Sequence, residues 1–131
     1  MDTKRYPQYA PDQALADARR TGFLVASHKK SREPLAQAWY AICARERRPF
    51  VRVMLGRLYV VVEVDMAPAA HRLSPKAQIA LDAAGRQHRS PRGPFTISNQ
   101  YVIIGGVAPE SAEALAEQLL GIALEDMQRR G

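Results

Sequence analysis

The sequence predicts an α+β domain: a single antiparallel sheet of four or five strands built from two hairpins, with about four helices packed mainly on one face. Three observations lead there. Two apolar segments, Phe50 to Asp65 and Phe95 to Ile104, alternate in polarity and are each interrupted near the middle by turn residues, the pattern of a hairpin. Segments before, between and after them repeat apolar residues at helical spacing. The chain has 131 residues, 47% of them hydrophobic, the size of a single domain (1–131) that can bury roughly two-thirds of its unfolded surface without staples.

Residues 1–11, with Tyr6, Pro7, Tyr9 and Pro11, read as an irregular lead. Asp12 then suits the N-cap of a helix that runs to about Arg20 and stops at Gly22. Phe23-Leu24-Val25-Ala26 is a buried strand or an anchor between helices, too short for periodicity to decide. The polar run Ser27 to Glu33 reads as a loop. Pro34 falls in the first turn of a second helix whose Leu35, Ala38, Trp39 and Ile42 form an apolar stripe, with Trp39 in the core.

In the first hairpin, Gly56-Arg57 suits a two-residue turn with glycine first. That register places Val51, Val53, Leu55, Leu58, Val60 and Val62 on one face, expected to be the core side with Trp39 and Ile42 packed against it. The other face, with Phe50, Arg52, Met54, Tyr59, Val61 and Glu63, is mixed enough to be partly wet. Ser74-Pro75 marks the start of a third helix, an N-cap followed by proline at the first helical position. Arg86 to Pro94 ends as a loop, because two prolines and a glycine forbid regular structure. Asn99-Gln100 is the turn of the second hairpin. Gly105-Gly106 ends its last strand, and Pro109 opens a final helix buried along Ala112, Leu115, Ala116, Leu119 and Ala123.

The charge is unevenly placed. Residues 18–92 hold fifteen Lys/Arg against five Asp/Glu, a net of +10 within a chain of net +6. Fifteen of all nineteen cations are arginine, whose planar fork suits phosphate and carboxylate; abundant alanine beside it also fits a GC-rich genome. Three clusters stand out: His28 with Lys29, Lys30 and Arg32; Arg45, Arg47 and Arg48; and Arg86, Arg89 and Arg92. If the second and third helices share a sheet face, the last two clusters line one phosphate-binding groove. Arg52, Tyr59 and Tyr101, on the wetter face, would offer a base-stacking or partner surface.

Enzymatic constellations are weak. His28, His71 and His88 fall in three separate loops with no second ligand at metal spacing, so they read as surface residues and no metal or cofactor is expected. Cys43, the only cysteine, reads as a small buried hydrophobe in a reducing, cytoplasmic setting. No segment reaches the about 18 apolar residues of a membrane span, and Met1 to Gln13 holds no secretory-type apolar block. Glu63 and Asp65 share one strand face, as in metal-dependent nucleases, but Arg52 lies within reach to neutralise Glu63. Gly105 to Pro109 leads into a helix N-terminus, yet Glu110 and Glu113 already satisfy its dipole.

The leading expectation is a non-enzymatic module that binds nucleic acid or a nucleoprotein assembly through its basic section. A protein–protein adaptor, chaperone or inhibitor is the alternative, acting on an acidic protein surface through the exposed sheet face or the C-terminal helix. The acidic last helix and the basic middle also allow a homodimer. A metal-dependent nuclease is the third reading.

Overall fold

The computed structural model describes residues 11–27 and 29–130. Within them the chain runs α1 (Pro11–Thr21), β1 (Leu24–Ala26), α2 (Lys29–Glu46), β2 (Phe50–Leu55), β3 (Val60–Asp65), α3 (Pro75–Gln87), β4 (Phe95–Ile97), β5 (Tyr101–Val107) and α4 (Pro109–Arg130). The α+β class holds, with four helices and one five-stranded sheet in the order β1-β2-β3-β5-β4. The sheet is mixed, not antiparallel throughout. Its β1 runs parallel to β2, with Leu24 opposite Arg52 and Ala26 opposite Met54. Parallel neighbours need a crossover, and α2 supplies it; three apolar residues carry no signal of strand direction.

Successive strand residues point to opposite faces, and here each face has its own core. Val51 and Val53 of β2, Val60, Val62 and Val64 of β3, and Val102 and Ile104 of β5 join Leu81 of α3 and the Leu115 and Leu119 stripe of α4. On the other side Leu24 and Phe50 join Ala14 and Ala18 of α1 and Leu35, Trp39 and Cys43 of α2. Helices therefore cover both faces, and Trp39 packs beside Phe50 instead of against the valine face. Periodicity reveals which side of a helix is apolar, not which side of a sheet it meets. Trp39 is fully buried, its indole N–H donates to the Val51 carbonyl at 3.1 Å, and the Arg48 guanidinium lies 5.0 Å from its ring centroid.

The first hairpin closes two residues later than a tight Gly56-Arg57 turn would. Leu55 pairs with Val60, Val53 with Val62 and Val51 with Val64, leaving Gly56 to Tyr59 as a four-residue loop. A shift of two keeps the side chains that remain in the strands on their expected faces. Val64 thus enters the core, and Leu58 leaves it for the loop tip, 84% exposed. The second hairpin turns at Asn99-Gln100 as expected, with the Ser98 N–H donating to the Tyr101 carbonyl at 3.0 Å. Its second strand continues through Gly105-Gly106 to Val107. Gly106 has φ +74°, and between Val60 and Val62 the register with β5 shifts, so the glycines form a bulge that prolongs the strand.

Helix starts differ in two places. Helix α1 begins at Pro11, so the lead ends one residue earlier; residues 1–10 and His28 lie outside the described residues. Helix α2 begins at Lys29 and carries Pro34 inside it, where a loop was expected up to Glu33. Pro34 forfeits only the bond to the Lys30 carbonyl, and the apolar turns after it hold the helix to the sheet. Ser74 caps α3 as expected, its hydroxyl accepting from the Ala77 N–H at 3.1 Å with Pro75 following.

Ser74 is also tied to α4. Its Oγ–H donates to Asp126 Oδ1 at 2.6 Å and its N–H to Oδ2 at 3.0 Å, while His71 Nε2 lies 2.8 Å from the same Oδ2. His71 is not a surface residue, since its side chain is only 14% exposed. The carboxylate sits between hydroxyl and imidazole, so the imidazole does not face Ser74 as it does in a serine–histidine pair. Burial pushes the Asp126 carboxyl up, but the bonds from Ser74 and His71 outweigh it and hold the group down at about 2. A depressed folded-state value contributes stability above the unfolded value near 3.8, lost as pH falls through about 2. Asp126→Asn should therefore cost about 2 kcal/mol at neutral pH. Urea unfolding along an acid series checks this: the gap between wild type and variant should narrow below about pH 4 and close only near pH 2, and a gap independent of pH would contradict it.

Candidate nucleic-acid interface

Strand direction decides which basic residues meet. Strands β1, β2 and β5 run one way, and β3 and β4 run the other. The end of the sheet that holds the last residues of β1, β2 and β5 therefore also holds the first residues of β3 and β4. Four features gather there: the start of α2, the Gly56–Tyr59 loop, the segment from α3 to β4, and the start of α4. Lys29, Lys30, Arg32, Arg57, Arg86, Arg89 and Arg92 all lie on these pieces.

Two hollows open on this end and share the walls Leu58 and Tyr59. One, of about 350 Å³, is lined by Arg32, Met54, Arg57 and Val61. The other, of about 750 Å³, is lined by His88, Arg89, Ser90, Arg92, Gly106 and the start of α4 from Ala108 to Ser111. The hairpin tip is thus a ridge between two recesses, each bordered by guanidinium groups. Glu110 borders the larger recess on its α4 side and would repel an anion there.

The cations expected to act together are divided by this geometry. Arg45, Arg47 and Arg48 stand at the far end of α2, about 27 Å along an 18-residue helix from Lys29. Helices α2 and α3 cover opposite faces, so the Arg45 cluster does not join the Arg86 cluster; Lys29, Lys30 and Arg32 share the Arg86 end of the sheet instead. Arg47 takes φ 51° and the Arg48 N–H reaches the Cys43 carbonyl at 3.0 Å, so these residues form the α2 C-cap. Arg48 also pairs with Glu46 at 3.1 Å.

Within the basic end the arginines differ in role. Arg89 works inside the fold: its Nε donates to the Gly105 carbonyl at 3.0 Å and its Nη2 to the Arg92 and Gly93 carbonyls, each at 3.2 Å. Arg86 pairs with Asp82 at 2.6 Å, and Arg86 and Arg89 both lie over the Phe95 ring, at 4.8 and 4.7 Å. Arg32 Nη2 donates to the Leu55 carbonyl at 3.1 Å. Lys29, Lys30, Arg57 and Arg92 are exposed. Arg57, at the hairpin tip, was missing from the expected contacts because no basic run surrounds it.

Arg52 and Tyr101 are separated from Tyr59. Tyr59 adjoins the Val60–Val107 pair, whereas Tyr101 pairs with Asp65, about 20 Å away at strand spacing. Arg52 Nε and the Tyr101 hydroxyl both donate to the Glu63 carboxylate, one to each oxygen, and Glu63 is only 8% exposed. Burial first, and the bond to Glu63 second, push the Tyr101 phenol up. Asp65 Oδ1 accepts from the Ala67 N–H at 2.9 Å. A divalent ion at Glu63 and Asp65 would have to displace these partners. Among the described residues no group of three or more His, Cys, Asp or Glu could hold a metal, and no helix is long and apolar enough to cross a membrane. Cys43 is fully buried, and burial pushes its thiol up to about 12, so it packs as an apolar group. No protein-family model, curated protein or solved structure matches the chain.

Proposed function

We propose that this protein is a small non-enzymatic module that binds nucleic acid, alone or in a nucleoprotein assembly, through the basic end of its sheet. The placement of Arg32 and Arg57 beside one hollow and Arg89 and Arg92 beside its neighbour, at the end of the sheet where α2 begins with Lys29 and Lys30, carries this reading. Phosphates take the exposed guanidinium and ammonium groups, and Arg89 keeps the α3–β4 segment in shape for them. Titration of a labelled oligonucleotide over a salt series tests it. Log K should fall linearly with log salt, by about 0.7 per phosphate contact on a single strand and 0.9 on a duplex. Absence of binding even at low salt would sink it.

That negative result would favour the second reading, an adaptor, chaperone or inhibitor that docks on an acidic protein. The feature behind it is the half-covered sheet face. Helix α1 lies over β1 and α2 over β1 and β2, while Val61 and Ile103 remain partly exposed and Thr96 exposed.

A further inference from the structure

We propose that the ligand is a single-stranded nucleic acid, one of whose bases seats on Tyr59 and Leu58 at the hairpin tip; this rests on the nucleic-acid reading above and narrows it. Leu58 is 84% exposed and forms, with half-buried Tyr59, the shared wall of both hollows. A large aliphatic side chain at the outermost point of a loop, ringed by cations, is what an apolar base face would cover. Tyr59 is held in place for that contact. A Cβ at Gly93, which has φ +81°, would lie 2.9 Å from Tyr59 Cε1 and 3.1 Å from Cζ, so the ring rests directly on the glycine backbone, a packing contact that limits the freedom a ligand would have to remove.

Charge sets the path of the strand. Arg32 and Arg57 border one side of the ridge and Arg92 the other, so a backbone crossing the tip meets cations before and after the stacked base. Glu110 on the α4 wall keeps phosphates to the Arg92 side of the larger hollow. A duplex fits this poorly, because its bases are stacked on one another and offer no free face to a ring, whereas every unpaired base has one.

Affinity measurements with labelled oligo-U and oligo-dT of about ten residues, within the usual site size of such binders, test this at low salt against a duplex and an abasic strand of equal length. Either single strand should bind at least about tenfold more tightly than the duplex, and preference for one of the two tells RNA from DNA. Tyr59→Ala should weaken the preferred strand about tenfold, Tyr59→Phe should leave it intact, and neither should alter binding of the abasic strand. Should Tyr59→Ala fail to fold, Leu58→Ala, at an exposed position, should still weaken binding several-fold. A duplex bound as tightly as either strand, with both alanine variants neutral, overturns the stacking ridge while the basic-end reading stands. Equal weakening on the abasic strand likewise overturns stacking, and failure of every probe to bind overturns both.

Discussion

Replacing Trp39 by alanine is expected to destabilise the protein by about 3 to 5 kcal/mol, the range for deleting a buried aromatic. The indole is fully buried at the centre of the smaller core, among Leu24, Leu35, Cys43 and Phe50, and it joins α2 to the sheet face away from α4. Two losses combine. A cavity opens where the rings stood, and the Val51 carbonyl loses the 3.1 Å bond from Nε1. Trp39→Phe separates them, since it keeps much of the volume and gives up the bond, for about 1 to 2 kcal/mol. Urea unfolding measures both, and a midpoint barely moved by Trp39→Ala would mean that α2 does not pack as described.

Gly106→Ala is expected to cost about 3 kcal/mol. Its φ of +74° is left-handed, which costs a residue with a Cβ about 1 to 2 kcal/mol. A Cβ there would also fall inside contact distance of the Arg92 carbonyl oxygen and 2.6 Å from that of Ser90. Both belong to the segment that walls the larger hollow, and Ser90 N–H donates to the Gly106 carbonyl at 2.9 Å. The backbone must therefore move, taking Arg92 with it, so nucleic-acid affinity should fall beyond what stability alone explains. Gly121→Ala is the control: beyond its own stretch of helix nothing lies within 4 Å of its Cβ position, and in mid-helix it should stabilise by up to about 1 kcal/mol. Equal effects of the two substitutions in thermal unfolding would remove the bulge from the account.

Local chemistry made much of this fold legible. Ser74-Pro75 announces its helix because cap and proline act on neighbouring residues, and the parity of Phe50 to Asp65 survives a longer turn because side-chain direction repeats every two residues. What stayed hidden needs partners distant in sequence. The direction of β1 depends on where α2 returns the chain. Gly105-Gly106 reads as a strand end until the α3–β4 segment is seen pressed against it. Asp126 looks like one more acid of α4 until Ser74 and His71 meet it. The basic end was hidden for the same reason: Lys29, Arg57 and Arg92 come to one end of the sheet only through strand order and direction, while the Arg45 cluster lies at the other end.

Removing two charges from either end of the sheet, with net charge equal in the two variants, tests the central claim most directly. Arg57→Gln/Arg92→Gln alters the basic end, and Arg45→Gln/Arg47→Gln the opposite end; all four side chains are exposed. Salt-series titration of a labelled single strand should show the first pair weakening binding strongly and reducing the slope of log K against log salt by about 1.4, two contacts' worth, with the second pair close to wild type in slope. Equal losses from the two pairs, or a larger loss from Arg45 and Arg47, would contradict a nucleic-acid interface at the hairpin end.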